Sequence, residues 1–253
     1  MKKALTANMK APPTLFMKHP TLQKVMLLTV ALVASLALSA QAGKPTPTSV
    51  THVNHSISLS PRDVLAPPKP QLPTVVLYDQ YDNASGIATL SATFTDFITF
   101  NADLADDFVV PAGENWTVES IDADGVYFNG SGPATNWNVF IYMDAGGLPG
   151  GIVASEMNMP VSVSGTTFSV NLAPSVALTE GHYWIEIQPN MTFGTQGEWG
   201  WTDRTVQSNS PAAWQNPGGG FLVCPSWTNK LVCVPTGGGP DQVYRLNGTM
   251  GNG

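Results

Sequence analysis

Trp199, Trp201, Trp214 and Trp227 fall late in the chain, in a glycine-rich stretch. An indole face covers the apolar face of a pyranose ring, so exposed tryptophans on a rigid sheet make a stacking platform for sugars. In Trp199-Gly200-Trp201 the period of a strand sends both rings to one face, with Gly200 leaving room above the backbone. Arg204 is a candidate to lie on one of these rings, or to pair with its neighbour Asp203 and fix the loop. Tryptophan is highly buried on average, which favours the other reading: the rings fill the core under long loops.

Carboxylates form a second group. Asp103, Asp106, Asp107, Asp122, Asp124 and Asp144 sit at predicted strand ends or in loops. Calcium takes oxygen ligands, and separate loops can supply them. Asp106, Asp107, Asp122 and Asp124 are the candidates, and Asp122-Ala-Asp124-Gly125 resembles part of a calcium loop whose remainder is missing. Turn-forming and solvated aspartates account for the same residues without a metal. No cofactor is expected, with structural calcium as the alternative.

His182 is the only histidine in the region expected to fold. A nucleophilic triad needs a positioned serine and an oriented histidine, and no Gly-x-Ser-x-Gly elbow occurs. Paired carboxylates for glycoside hydrolysis are set by distance in space, not in sequence. The expectation is a non-catalytic module, with a glycoside or ester hydrolase as the alternative. His52 and His55 stand three apart in a proline-rich stretch and read as solvated.

The segment Leu178-Thr-Glu-Gly181-His-Tyr183-Trp-Ile-Glu-Ile187 must position this material. Tyr183, Ile185 and Ile187 alternate with His182, Trp184 and Glu186, the pattern of a half-buried strand. Leu178, Gly181 and Tyr183 have the spacing of a tyrosine corner, in which the hydroxyl bonds upstream backbone at a crossover between sheets. Residues 174–181 read as that crossover. Short alternating runs surround it, at Val75–Tyr78, Phe94–Phe100, Ala105–Pro111, Trp116–Ile121 and Trp137–Asp144. Trp116 and Val118 face the core, and a one-residue slip, a bulge, is needed to bring Ile121 to the same side. Trp137–Asp144 is apolar on both faces and reads as a central strand. Ser164-Gly165 marks a hairpin into Phe168–Leu172, and Gln242–Leu246 reads as the last strand. Ten to twelve short strands without a helical pattern predict an all-β domain, a β-sandwich or jelly roll with a Greek-key crossover.

Composition agrees. Of 253 residues only 11% are charged, with 24 Gly and 21 Pro. Lysines 2, 3, 10, 18 and 24 precede an apolar run to Leu38 and the small-x-small signal Ala40-Gln41-Ala42, so residues 1–42 read as a cleaved signal peptide. Residues 43–73 read as a disordered proline-rich linker, 74–248 as the sandwich and 249–253 as a flexible tail. Five of the 11 basic residues precede the cut and all 18 acidic ones follow it, leaving a net charge of −12. That disfavours nucleic acid and anionic membranes as partners. No membrane span is expected after cleavage, and the module is expected to be a monomer. Cys224 and Cys233, close together in an exported chain, are expected to form a disulfide around Trp227.

Tyr78 to the C-terminus resembles an uncharacterised module of bacterial secreted proteins. The resemblance rests on Ala105-Asp-Asp-Phe-Val-Val-Pro111, Tyr127-Phe-Asn-Gly-Ser-Gly-Pro133, Gly146-Gly-Leu-Pro-Gly150, Leu178-x-x-Gly-x-Tyr-Trp184, Trp199-Gly-Trp-x-Asp-Arg204 and Ala213-Trp-Gln-Asn-Pro-Gly-Gly-Gly-Phe221. Such modules occur alone behind a signal peptide, or beside protease and anchor domains. The resemblance implies a β-sandwich and a bacterial extracellular or periplasmic location, and it implies no catalytic residues. The expected role is recognition or a structural one outside the cytoplasm, with a carbohydrate-binding module as the alternative; if the module binds, the expected partner is a polysaccharide or a cell-surface protein, met on the face of Trp199, Trp201, Trp214 and the Gly218–Gly220 loop.

Overall fold

The computed structural model describes residues 72–252. The signal-peptide reading, and the linker reading up to residue 71, lie outside the described residues. Thirteen strands follow in chain order: β1 (Val75–Asp79), β2 (Ala84–Leu90), β3 (Thr93–Phe94), β4 (Asp103–Phe128), β5 (Asn136–Asp144), β6 (Pro149–Met159), β7 (Val161–Ser164), β8 (Thr167–Met191), β9 (Glu198–Arg204), β10 (Ala213–Gln215), β11 (Thr228–Asn229), β12 (Asp241–Gln242) and β13 (Tyr244–Asn252). Among the described residues two single α-helical turns, α1 (Phe193–Gln196) and α2 (Lys230–Cys233), and one 3₁₀ turn complete the regular structure. The chain is all-β and sandwich-like, as its alternating patterns led us to expect.

Two long strands organise it. β4 and β8 pair antiparallel along most of their length. The main sheet runs β1-β13-β4-β8-β5-β6, and β9 carries a second set with β2, β12 and the last four residues of β4. A strand this long stays in a small domain only if it bends, and bulges bend strands. Three breaks in register do so. Residues 111–114 of β4 lie opposite Glu180 alone, between the pairs Val110↔Gly181 and Asn115↔Thr179. Residues 172–175 of β8 lie opposite Glu119 alone, between Val118↔Val176 and Ser120↔Asn171. Opposite β13, Glu119 is again the extra residue, between Asn247↔Ser120 and Gly248↔Val118.

The third break is the slip the sequence required, and Trp116, Val118 and Ile121 are all buried. The other two correct the reading. Pro111 and Gly113 do not end a strand, and residues 174–181 do not cross between sheets; both are bulged parts of continuous strands. The corner motif survives locally. Tyr183 donates its hydroxyl to Thr179 O at 3.2 Å. Gly181 sits at φ +156°, where an added Cβ would press on the Tyr183 ring at 3.2 Å.

Other departures are smaller. Phe94–Phe100 is not a strand: only Thr93–Phe94 pairs, and Ile98–Phe100 forms a 3₁₀ turn. β2 went unrecognised, because Ala84-Ser-Gly-Ile-Ala-Thr-Leu90 lacks strand-like alternation. Residues 249–252 are not a loose tail; they pair with residues 114–117 of β4. β5 is covered on both faces as expected, with Trp137, Val139 and Ile141 in the main core and Tyr142 in a second apolar cluster beside Trp184. Its neighbour β6 is the sheet edge. The hairpin at Gly165 forms as read, joining β7 to β8.

Candidate functional site

The late tryptophans point inward. Trp199 and Trp201 are both 0% exposed, and Trp214 is 3% exposed. Trp199 packs edge-on against Trp137, ring centres 4.8 Å apart, and against Phe168 at 5.5 Å. Trp201 donates Nε1–H to Val243 O at 2.9 Å, and Trp214 to Leu90 O at 3.1 Å. Both rings of Trp199-Gly200-Trp201 do share one face, but it is the core face. The space over Gly200 is filled by Ala88 and Phe128. Trp199 and Trp201 therefore offer no stacking surface, and the tryptophan platform is corrected to core packing.

Asp203 and Arg204 do not pair with each other, because neighbours on a strand point to opposite faces. Arg204 is buried, donating to Asp82 at 2.6 Å, to Val206 O at 2.7 Å and to Ser208 at 3.0 Å. It lies on no tryptophan ring and ties down the loop after β9. Asp203 meets Lys230, also buried, at 2.9 Å.

The four aspartates proposed for calcium divide into two hydrogen-bonded groups. Asp106 accepts from Gln80 Nε2 at 2.6 Å and from the Gln242 backbone at 2.7 Å. Asp107 accepts from His182 Nε2 at 2.6 Å and from the Ser210 backbone at 2.7 Å. Further along β4, Asp122 takes Arg245 at 2.7 Å and Ser169 at 2.5 Å, while Asp124 takes Thr166 and Thr202 at 2.5 Å each. Among the described residues no three His, Cys, Asp or Glu side chains are grouped to hold a metal ion.

His182 lies between Asp107 and Asp144, whose Oδ1 is 3.6 Å from Nδ1. Asp144 also accepts from Trp184 Nε1 at 2.9 Å and caps the Gly146–Gly147 turn. Both ring nitrogens thus face carboxylates, and the Ser210 backbone shares Asp107 with the ring. On the same face of β8, Glu186 is buried and accepts from Tyr142 at 2.5 Å. Burial, then the nearby Asp103, push its carboxyl well above the ordinary range. The sequence reading missed this residue as a buried acid. Its signal was a glutamate set among Trp184, Ile185 and Ile187.

A second buried polar layer lies between β9, β12 and α2. Gln80, Asp106, Asp203, Lys230, Asp241 and Gln242 are all at most 1% exposed. Burial first, then Asp241, raise the Asp106 carboxyl well above its ordinary value. Burial and Asp107 drive Asp241 up to about 7 against the backbone bond from Ser208.

Open apolar surface gathers elsewhere. A cleft of about 340 Å³ lies between Leu90, Phe128 and Glu198 on one side and Trp214, Phe221 and Val223 on the other. Cys233 of the Cys224–Cys233 disulfide lines it too, and the Gly218–Gly220 loop leads into Phe221. The sulfurs are bonded, with Cα atoms 5.9 Å apart. Gly218 and Gly220 lie so close to the Thr99 backbone that a Cβ would fall at 2.7 and 2.6 Å, so this loop accepts no side chain there. Phe221 is 39% exposed, Val223 43% and Leu222 91%. Glu198, raised by burial, accepts from Asn129 at the cleft wall. Of the face expected to bind, only Trp214 lines this cleft, and the glycine loop leads directly into Phe221; Trp199, Trp201 and Arg204 do not line it.

No family model, no curated protein and no solved structure matches this chain. Among the described residues no helix is long and apolar enough to cross a membrane.

Proposed function

We propose that the chain is an exported, non-catalytic β-sandwich module with a recognition role, and that it binds through the cleft at Phe221. The observation that carries this is a contrast. Asp106, Glu186, Asp203, Arg204 and Lys230 bond partners inside the fold, whereas Phe221, Leu222 and Val223 stand open beside a preformed apolar cleft. A short loop clamped by a disulfide and by close glycine packing loses little freedom on binding, which favours affinity. The disulfide fits an oxidising compartment, in keeping with the leader-like residues 1–42.

A carbohydrate is the second reading. Phe221 and the edge of Trp214 supply an aromatic wall, and Glu198 supplies an acceptor for a hydroxyl. Titration of the folded chain with soluble polysaccharides and apolar peptides, followed by tryptophan emission, tests both. Recognition predicts a saturable change that Phe221→Ala abolishes with the fold intact. Silence across both panels contradicts a binding cleft.

A further inference from the structure

Lys230 opens α2 with its side chain 0% exposed. Its ammonium donates to Asp203 Oδ1 at 2.9 Å, to Asp241 O at 3.1 Å and to Gln242 Oε1. Asp203 is equally buried, and its other oxygen has different company. Oδ2 accepts from Thr89 Oγ1 at 3.0 Å and from the Gly238 backbone at 2.7 Å. One oxygen of the carboxyl therefore faces an amine, and the other faces two neutral donors.

That division suits acyl transfer. Preorganised donors stabilise the oxygen on which charge develops, and a positioned pair reacts as one molecule, without the entropy cost of an encounter. A dry site also removes the water that would reverse an amide condensation. Burial lowers the Lys230 pKa against the pull of Asp203, enlarging the share of neutral, nucleophilic amine.

The geometry points to a self-formed amide cross-link between Lys230 Nζ and Asp203 Cγ. One proton passes from the ammonium to Asp203 Oδ1, leaving an amine beside a carboxylic acid. The Nζ lone pair attacks Cγ, and Oδ2 takes the developing negative charge opposite Thr89 and Gly238. The Cγ–Oδ1 bond then breaks, and Oδ1 leaves as water with its own proton and a second one from Nζ. One N–C bond forms, one C–O bond breaks and one water departs. The pair is neutral overall before and after, and nothing is oxidised or reduced. The Asp241 backbone oxygen, which accepts from Nζ at 3.1 Å, holds the amine in place throughout. The product keeps Oδ2 on Thr89 and Gly238 as an amide carbonyl. It ties the segment closed by the Cys224–Cys233 disulfide covalently to β9.

Mass spectrometry of the purified full chain, reduced and denatured, is the test. A cross-linked protein weighs one water less than its sequence requires, and digestion yields a branched peptide joining Lys230 to Asp203. Lys230→Arg keeps the charge but forms no amide, and Asp203→Ala removes the acyl group, so both variants stand at their calculated masses. Either variant can fail to fold, so the wild-type mass and peptide map decide alone. Full calculated mass with a linear Lys230 peptide overturns the proposal. A loss of ammonia, with Gln242 in the branched peptide, overturns the assignment to Asp203.

Discussion

Gly125→Ala isolates the packing that makes the late tryptophans core residues. At Gly125, β4 leaves the main sheet and pairs with Trp201 of β9. A Cβ there would stand 2.3 Å from Trp199 Cζ2, 2.5 Å from Cε2 and 2.7 Å from Gly200 O. Relief requires a shift of about 1 Å, since carbon atoms pack at about 3.5–4 Å. Trp199 cannot retreat, because Trp137 and Phe168 hold its ring from other sides. Overpacking of this kind costs about 1–3 kcal/mol, and backbone contact with Gly200 places Gly125→Ala at the upper end. For a urea m-value of about 2 kcal/mol per M, that lowers the midpoint by about 1.5 M. Gly151→Ala is the control, because nothing lies within 4 Å of its Cβ and its backbone is unstrained. It should leave stability unchanged or raise it by about 0.5 kcal/mol. If both variants unfold within about 0.5 kcal/mol of the parent, Trp199 does not lie on Gly125 and the β4–β9 packing is wrong.

Stability should also rise on mild acidification. The folded-state pKa of Asp241 is raised to about 7, and those of Asp106 and Glu186 are raised too, so the native state binds more protons than the unfolded chain. The contribution is fully present below the ordinary carboxylate range and is lost as pH rises through about 7, so the melting temperature at about pH 5 should exceed that at about pH 8; the opposite slope would count against the buried acids. Breaking the Cys224–Cys233 bond, which spans a sequence separation of 9, should cost about 2.7 kcal/mol by loop entropy, read from denaturation with and without reductant. Tyr183→Phe removes the bond to Thr179 O and should cost about 1 kcal/mol by the same unfolding assay, whereas no loss would make the corner incidental.

Alternation was enough to read the fold class, the bulge at Glu119, the Gly165 hairpin and the two-faced β5, because each is a local consequence of which residues face the core. Strand length was not legible. Pro111, Gly113 and Pro174 are ordinary stop signals, and the chain instead absorbs them as bulges because β4 and β8 each have a partner on both sides of the break. The site was legible only in part. Tryptophan type and spacing place Trp199 and Trp201 on one face, but which face follows from Trp137 and Phe168, far away in sequence. Lys230 carried no local signal at all: its partners Asp203, Asp241 and Gln242 come together only when β12 pairs with β9.

The most direct test of a recognition role at the Phe221 cleft is amide and indole NMR shift mapping during titration with the polysaccharide and peptide panel. The proposal predicts shifts concentrated at the Trp214 indole, at Phe128 and Glu198, and along residues 219–223. Shifts centred instead on His182 and Asp144, or none with any ligand, would contradict it.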